Sequence, residues 1–340
     1  MENKKTICLV DVDSSIPNLV LMKISAFYKE KSFEVDLKKI GYTGYDHCKR
    51  KEIIIDGSNY EKVFISAIFP LNKDLIKVRN CKEVYHGGIG YDYKITLQKE
   101  IEHIFPDYSL YPDNEYSIGY LTRGCIRNCE FCFIPKKEGI LKFNAFLKEF
   151  YDPKQPKIML LDNNFLALPN QKCVELLEEL KGTGKIINFK QGLDFRLLTK
   201  EKAKALIELR YDGNYIFAFD CIRDKPIIER NLKEIWKPLT KAWQTKFFVL
   251  VGFNSTLEQD LERVYFLKSH KCLPYIMRYE TCYSSSNRPF YTDLAAWCNQ
   301  PGFFKNMSFT EFLKIRHSTK ERLMQTIKII EENNLRNVIS

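Results

Sequence analysis

The feature that most constrains the fold is a repeated exchange between two apolar periodicities. Short β-branched and apolar runs of strand length alternate with stretches whose apolar residues recur every three or four positions. A chain written this way buries its apolar runs as parallel strands beneath the intervening helices, so the pattern predicts an α/β fold. Residues 6–12 (TICLVDV) read as a buried strand. Ser14, Ser15 and Pro17 mark a turn, and residues 18–31 then carry helical spacing. Further strands are predicted around Phe33, Val35 and Leu37, at 53–55, at 63–69, and at 83–92, where the run ends in a glycine-rich loop. Residues 101–118, with two prolines, read as a linker. Residues 141–151 are amphipathic. From 157 onward the exchange resumes, with strands at 157–168, 186–201, 215–221, 246–254 and 272–280. Helices lie between them, the first stopping at Gly182. The tail after Glu280 is aromatic, then helical.

At 340 residues the chain has room for one large or two ordinary domains. A hydrophobic fraction of 45% with 28% charged residues fits a soluble globular protein. No apolar stretch approaches a membrane span and the N-terminus lacks a signal-peptide pattern, so a cytoplasmic location is expected. The 11 cysteines are odd in number and mostly scattered through apolar segments, which favours reduced thiols over disulfides. Residues 1–112 hold 17 Lys+Arg against 16 Asp+Glu, and the remainder 36 against 27. The net charge of +10 therefore belongs almost wholly to the later part, whose field attracts anions. No long basic run marks a nucleic-acid tail.

Residues 119–139 (GYLTRGCIRNCEFCFIPKKEG) place Cys125, Cys129 and Cys132 within eight positions. Thiolates so spaced converge on a soft metal centre such as zinc or an iron–sulfur cluster. The next hundred residues offer no paired Cys or His to close a four-ligand zinc site. Three cysteines on a [4Fe–4S] cluster leave one iron open.

Cys-x-x-x-Cys-x-x-Cys followed by Phe133 resembles the signature of the radical S-adenosylmethionine superfamily. The resemblance implies a [4Fe–4S] cluster on Cys125, Cys129 and Cys132 that binds S-adenosylmethionine and cleaves it reductively, with Phe133 near the adenine. It also implies hydrogen abstraction from a substrate and an external electron donor such as flavodoxin or ferredoxin. The later strands match the partial (β/α)6 barrel of that superfamily, here expected over 113–282, with a C-terminal helical extension at 283–340. In such barrels polar residues at the carboxyl ends of strands are candidates for function. Asp162 and Asn163 stand where the family holds the cofactor's amino group, although its Gly-Gly-Glu motif is missing. Asp194 and Arg196 lie in QGLDFRLL, which resembles the third-strand segment near cofactor or substrate. Two residues apart on a strand, they share a face, and they read equally well as an internal ion pair. Gly252 is expected to let adenine approach the backbone, and Arg278 to reach the rim. Cys282 and Cys298 receive no role.

Residues 1–112 resemble the Rossmann-like, cobalamin-binding-type domain of one branch. No Asp-x-His-x-x-Gly segment is present, since none of the five histidines has an Asp two residues before it. Cobalamin is therefore disfavoured, and His47 and His86 read as surface or packing residues. Cys8, Cys48 and Cys81 resemble the auxiliary-cluster cysteines of methylthiotransferases, but their local settings argue against that role. The alternatives are a cobalamin-dependent radical methyltransferase, a methylthiotransferase-like RNA modification enzyme, and a non-catalytic zinc-containing nucleic-acid-binding module. The substrate, small-molecule or nucleic-acid-derived, is not legible.

Overall fold

The structure is a computed structural model and describes residues 5–41, 52–317 and 319–339. It is a mixed α/β chain with parallel sheets. Two compact units are formed, one from residues 1–121, 133–139 and 143–158, the other from 122–132, 140–142 and 159–340.

In the first unit, β1 (Thr6–Asp11) is the central strand because its apolar residues serve both faces of the sheet. Ile7 and Leu9 pack with Leu21 and Ile24 of α1 (Leu19–Glu30), while Cys8 and Val10 pack on the other side with Ile55, Val63 and Ile76. Helix α1 begins where Asn18 accepts the Leu21 N–H at 3.3 Å. Strand β1 lies between β2 (Glu34–Lys39) and β4 (Lys62–Ser66), both parallel to it. β3 (Ile53–Asp56) and β5 (Ile76–Arg79) form a separate parallel pair. With β6 (Glu83–Gly87), parallel to β4, the main sheet runs β2-β1-β4-β6. After β6 the backbone turns at Gly88, whose φ of +87° and approach to the Ala67 carbonyl leave no room for a side chain.

Residues 101–118 are not a free linker. After the short α2 (Lys99–Glu102), Tyr108 and Tyr111 are buried. The Tyr111 hydroxyl donates to Asp11 at 2.8 Å, and the Tyr108 hydroxyl accepts the N–H of Ile118, within β7 (Tyr116–Gly119), at 2.9 Å. Aromatic rings with a polar tip found buried partners there, which a reading of prolines alone does not capture. Two-residue strands β8 (Thr122–Arg123) and β9 (Lys142–Phe143) and the helix α3 (Ile134–Glu138) follow. The amphipathic stretch 141–151 thus holds β9 and a 3-10 turn at Leu147–Glu149. Cys8 lies inside the core with its thiol pushed up to about 12, chiefly by burial, and Cys81 donates to the Glu83 carbonyl at 3.5 Å. Cys48 and His47 lie outside the described residues.

The long segment of the second unit starts within β10 (Lys157–Leu160), which neighbours β11 (Ile186–Phe189), with β12 (Arg210–Tyr211) on the far side of β11. Leu193 then forms a parallel bridge to Phe217 of β13 (Tyr215–Ala218). β14 (Thr245–Val251) lies parallel to β13, and β15 (Leu273–Arg278) parallel to β14. Strands thus follow one another in chain order. Between them come α4 (Asn170–Gly182), α5 (Lys200–Ile207), α6 (Lys225–Asn231) and α7 (Leu257–Ser269). Helix α4 includes Gly182; the left-handed stop is Gly184, at φ +66°.

Phe195, Phe217, Phe247 and Trp236 interlock edge-to-face beneath β13 and β14, with Phe195 and Phe217 centroids 4.6 Å apart. Helix α7 adds a buried ion pair, Asp260 with Arg263, and Arg263 donates to the Phe219 and Leu250 carbonyls at 2.9 and 2.8 Å. The C-terminal helices are α8 (Thr281–Ser284), α9 (Arg288–Cys298), α10 (Pro301–Asn306), α11 (Phe309–Arg316), α12 (Lys320–Glu332) and α13 (Arg336–Ile339). Buried Asp293 of α9 binds Arg316 and Thr326, at 2.8 and 2.7 Å, tying α9 to α11 and α12. Among the described residues no helix is long and apolar enough to cross a membrane.

Candidate active site at the cysteine loop

The loop that carries Cys125, Cys129 and Cys132 enters through Gly124 at φ +84°, a conformation that favours glycine. None of the three is in a disulfide, and all are partly accessible. The Cys132 N–H closes a turn onto the Cys129 carbonyl at 2.9 Å. Cys125 Sγ accepts two N–H groups at 3.3 Å, from the Arg127 backbone and from Asn164 Nδ2. Such donors favour an anionic sulfur. Burial pushes the Cys129 thiol up, and Cys132 and Cys125 push the same way, whereas the Arg196 charge pulls it down. Cys129 is therefore within electrostatic reach of both other thiols. Among the described residues no three His, Cys, Asp or Glu side chains are gathered as a ready-made metal site. The donor set fits a thiolate-ligated cluster chemically.

The carboxyl end of β10 holds this loop. Buried Asp162 accepts both the N–H and the hydroxyl of Thr122 on the same oxygen, each at 2.6 Å. Asn163 accepts the Gly124 N–H at 3.0 Å. Both side chains expected near the cofactor thus bond residues that lead into the cysteine loop. Asn164, which received no role from the sequence, bonds Cys125 instead and keeps its buried Oδ1 without a partner among the described residues.

Strand β11 stops at Phe189, so Asp194 and Arg196 do not share a strand face. Gly192 turns the chain at φ +79°, and Asp194 caps a 3-10 turn that contains Arg196. They nonetheless pair: Arg196 Nε and Nη2 donate to the two Asp194 oxygens at 2.7 and 3.0 Å. Arg127 of the cysteine loop donates to the same carboxylate at 3.0 Å, and Arg196 reaches on to Asp224 at 2.8 Å. Burial alone would raise the Asp194 carboxyl, but the bonds and charges of Arg196 and Arg127 outweigh it and hold it below the usual range. An ion-pair network thus runs from the loop to the turn after β11.

Asp220, just beyond β13, is the residue that strand-end reasoning should have promoted. It accepts the Leu250 N–H at 3.2 Å, and burial pushes its carboxyl up to about 6, against the opposing Arg263 and Arg196 charges. The same Arg196 and Asp220 act on Cys129. A carboxyl raised to about 6 is suited to holding or passing a proton.

Gly252 has a packing reason for being glycine. It sits at φ +75°, and a Cβ there would fall 2.3 Å from Cys282 Sγ. That sulfur donates to the Val251 carbonyl at 3.3 Å and takes the position a Gly252 side chain would occupy. The next residues do meet the cysteine loop: Phe253 packs edge-on to Phe131 at 5.4 Å and Asn254 donates to Glu130 at 3.1 Å. Arg278 donates to Thr292 at 3.1 Å and lies over the Tyr283 ring. Phe133 belongs to the first unit, where its ring tilts against Tyr93, centroids 6.5 Å apart.

No family model matches the chain, and no curated protein matches it. Among solved structures it is similar to a radical S-adenosylmethionine methyltransferase, TsrM, from Kitasatospora setae, determined with tryptophan substrate and a cofactor analogue bound. Identity is 12%, the alignment covers 80% of this chain and 67% of that one, and the TM-score is 0.44.

Proposed function

We propose that this chain is a radical S-adenosylmethionine enzyme in which Cys125, Cys129 and Cys132 hold a [4Fe–4S] cluster. One observation carries the reading: side chains at the carboxyl end of β10 bind the backbone and leading sulfur of a three-cysteine loop, in a unit whose strands follow chain order. When bound, the cluster and S-adenosylmethionine supply a 5′-deoxyadenosyl radical for hydrogen abstraction. The chain's own residues prepare the site. Asp162 and Asn163 fix the loop, and Asn164 and the Arg127 N–H stabilise sulfur charge on Cys125. Arg196 favours the thiolate of Cys129, the form in which a cysteine ligates metal, and Asp194 compensates its charge. Asp220 is the candidate proton holder.

The proposal includes a cytoplasmic location and an external donor such as flavodoxin or ferredoxin, with cobalamin disfavoured for want of a histidine ligand. Anaerobic reconstitution tests it. About four iron and four sulfide per chain are expected, lost when any of the three cysteines becomes Ala, with 5′-deoxyadenosine formed on reduction. One zinc and no sulfide, with salt-dependent RNA or DNA binding, would establish the zinc module instead.

A further inference from the structure

One face of the β13–β14–β15 sheet is packed; on the other, Leu250 and Leu273 are buried while Tyr275 and Met277 stand exposed. Phe217, Phe247, Val249 and Ile276 point to the packed side and are at most 4% exposed. Their alternates point the other way: Ile216 beside Lys246, Phe248 beside Tyr275, and Met277 beyond. Tyr275 and Met277 are 42% and 45% exposed, although both lie on the third strand of a parallel sheet. Parallel sheets are ordinarily covered on both faces. Phe248 and Tyr275 meet edge-to-face at 5.7 Å. Gly192 extends the floor without a side chain of its own; a Cβ there would fall 3.3 Å from Phe248 and 3.4 Å from Ile216. Lys246 is the only charged residue on this face of the three strands and has no ion pair among the described residues.

We infer that this face binds a flat aromatic ligand bearing an anionic group, with the ring against Phe248 and Tyr275 and the anion toward Lys246. Aromatic side chains with exposed π faces take planar rings regardless of their substituents, and an unpaired ammonium selects negative charge. That the ligand is the enzyme's substrate rests on the function proposed above; the binding does not.

The probe is 8-anilino-1-naphthalenesulfonate, a sulfonate on a flat naphthalene ring, compared with its uncharged counterpart N-phenyl-1-naphthylamine, by fluorescence titration of the full chain. Saturable binding at about one probe per chain is expected. Phe248→Ala and Tyr275→Ala should each weaken both probes about tenfold. Lys246→Gln, a change at the edge of the face, should weaken the sulfonate about threefold and leave the neutral probe unchanged. Unaltered affinity in all three variants overturns the inference, as does equal weakening of both probes by Lys246→Gln. A dimer in sedimentation that Tyr275→Glu dissociates overturns it too, because a second copy then occupies the face. If 5′-deoxyadenosine never forms but the probe behaves as stated, the enzymatic reading fails while this site stands. The reverse result removes the site alone.

Discussion

An Asp220→Asn variant is expected to be more stable than the parent chain near pH 8 and no more stable near pH 3.5. Asp220 accepts the Leu250 N–H, a bond that an Asn carbonyl also makes, so the substitution isolates the charge. Burial raises its carboxyl from 3.8 to about 6, with Asp224 adding to the rise and Arg263 and Arg196 opposing it. Between those two values the folded chain holds a proton that the unfolded chain has released, so stability falls as pH rises. The contribution is fully present below the unfolded value, is lost through about pH 6 and then stays lost. Two units at ~1.4 kcal/mol each give a penalty of ~3 kcal/mol at neutral pH, which the variant escapes. Urea unfolding of cluster-free protein reads this directly. Trp236, Trp243 and Trp297 are the only tryptophans and all belong to the second unit, so their fluorescence follows the unit that contains Asp220. The urea midpoint of the variant should exceed that of the parent at pH 8, with the same slope, and the two should converge in acid. An advantage that is absent at pH 8, or equal at both pH values, would refute a desolvated Asp220.

Asp162→Ala strands the buried Thr122 N–H and hydroxyl; ~2–4 kcal/mol of stability should be lost, and reconstituted iron per chain should fall with it, as thermal melts and iron assay would reveal. Gly252→Ala drives a methyl into Cys282 and imposes left-handed strain, so it should destabilise by more than ~2 kcal/mol. Adding Cys282→Ala should restore the steric part but not the strain, a non-additivity that a double-mutant cycle in urea measures. Arg263→Met leaves Asp260 buried without its cation and should cost ~3–5 kcal/mol, checked by the shift in thermal midpoint.

Much of the strand and helix order is legible because apolar period and burial coincide. β1, α1, β14 and β15 are runs whose side chains alone dictate two-faced or one-faced packing. The cysteine spacing is legible for the same local reason, since ligands a few residues apart can meet without help from the rest of the chain. Asp194 and Arg196 were expected to share a strand face or an internal ion pair; the pair forms, but on a turn set by Gly192, and adjacent sequence hides the break. Gly182 and Gly184 show the limit on boundaries, because either glycine ends a helix acceptably and only the backbone angle distinguishes them.

What the sequence by itself determined is local chemistry: a parallel α/β pattern, three soft ligands in one loop, and the residue types at strand ends. Only the tertiary structure decided how those residues are used. Asp162 and Asn163 hold the cysteine loop, Gly252 makes room for Cys282, and Arg127 joins Asp194 across 67 positions. A side chain's partner depends on distance in space, and the burial that shifts Asp220 comes from packing around β13 and β14, neither of which is written in its sequence neighbours.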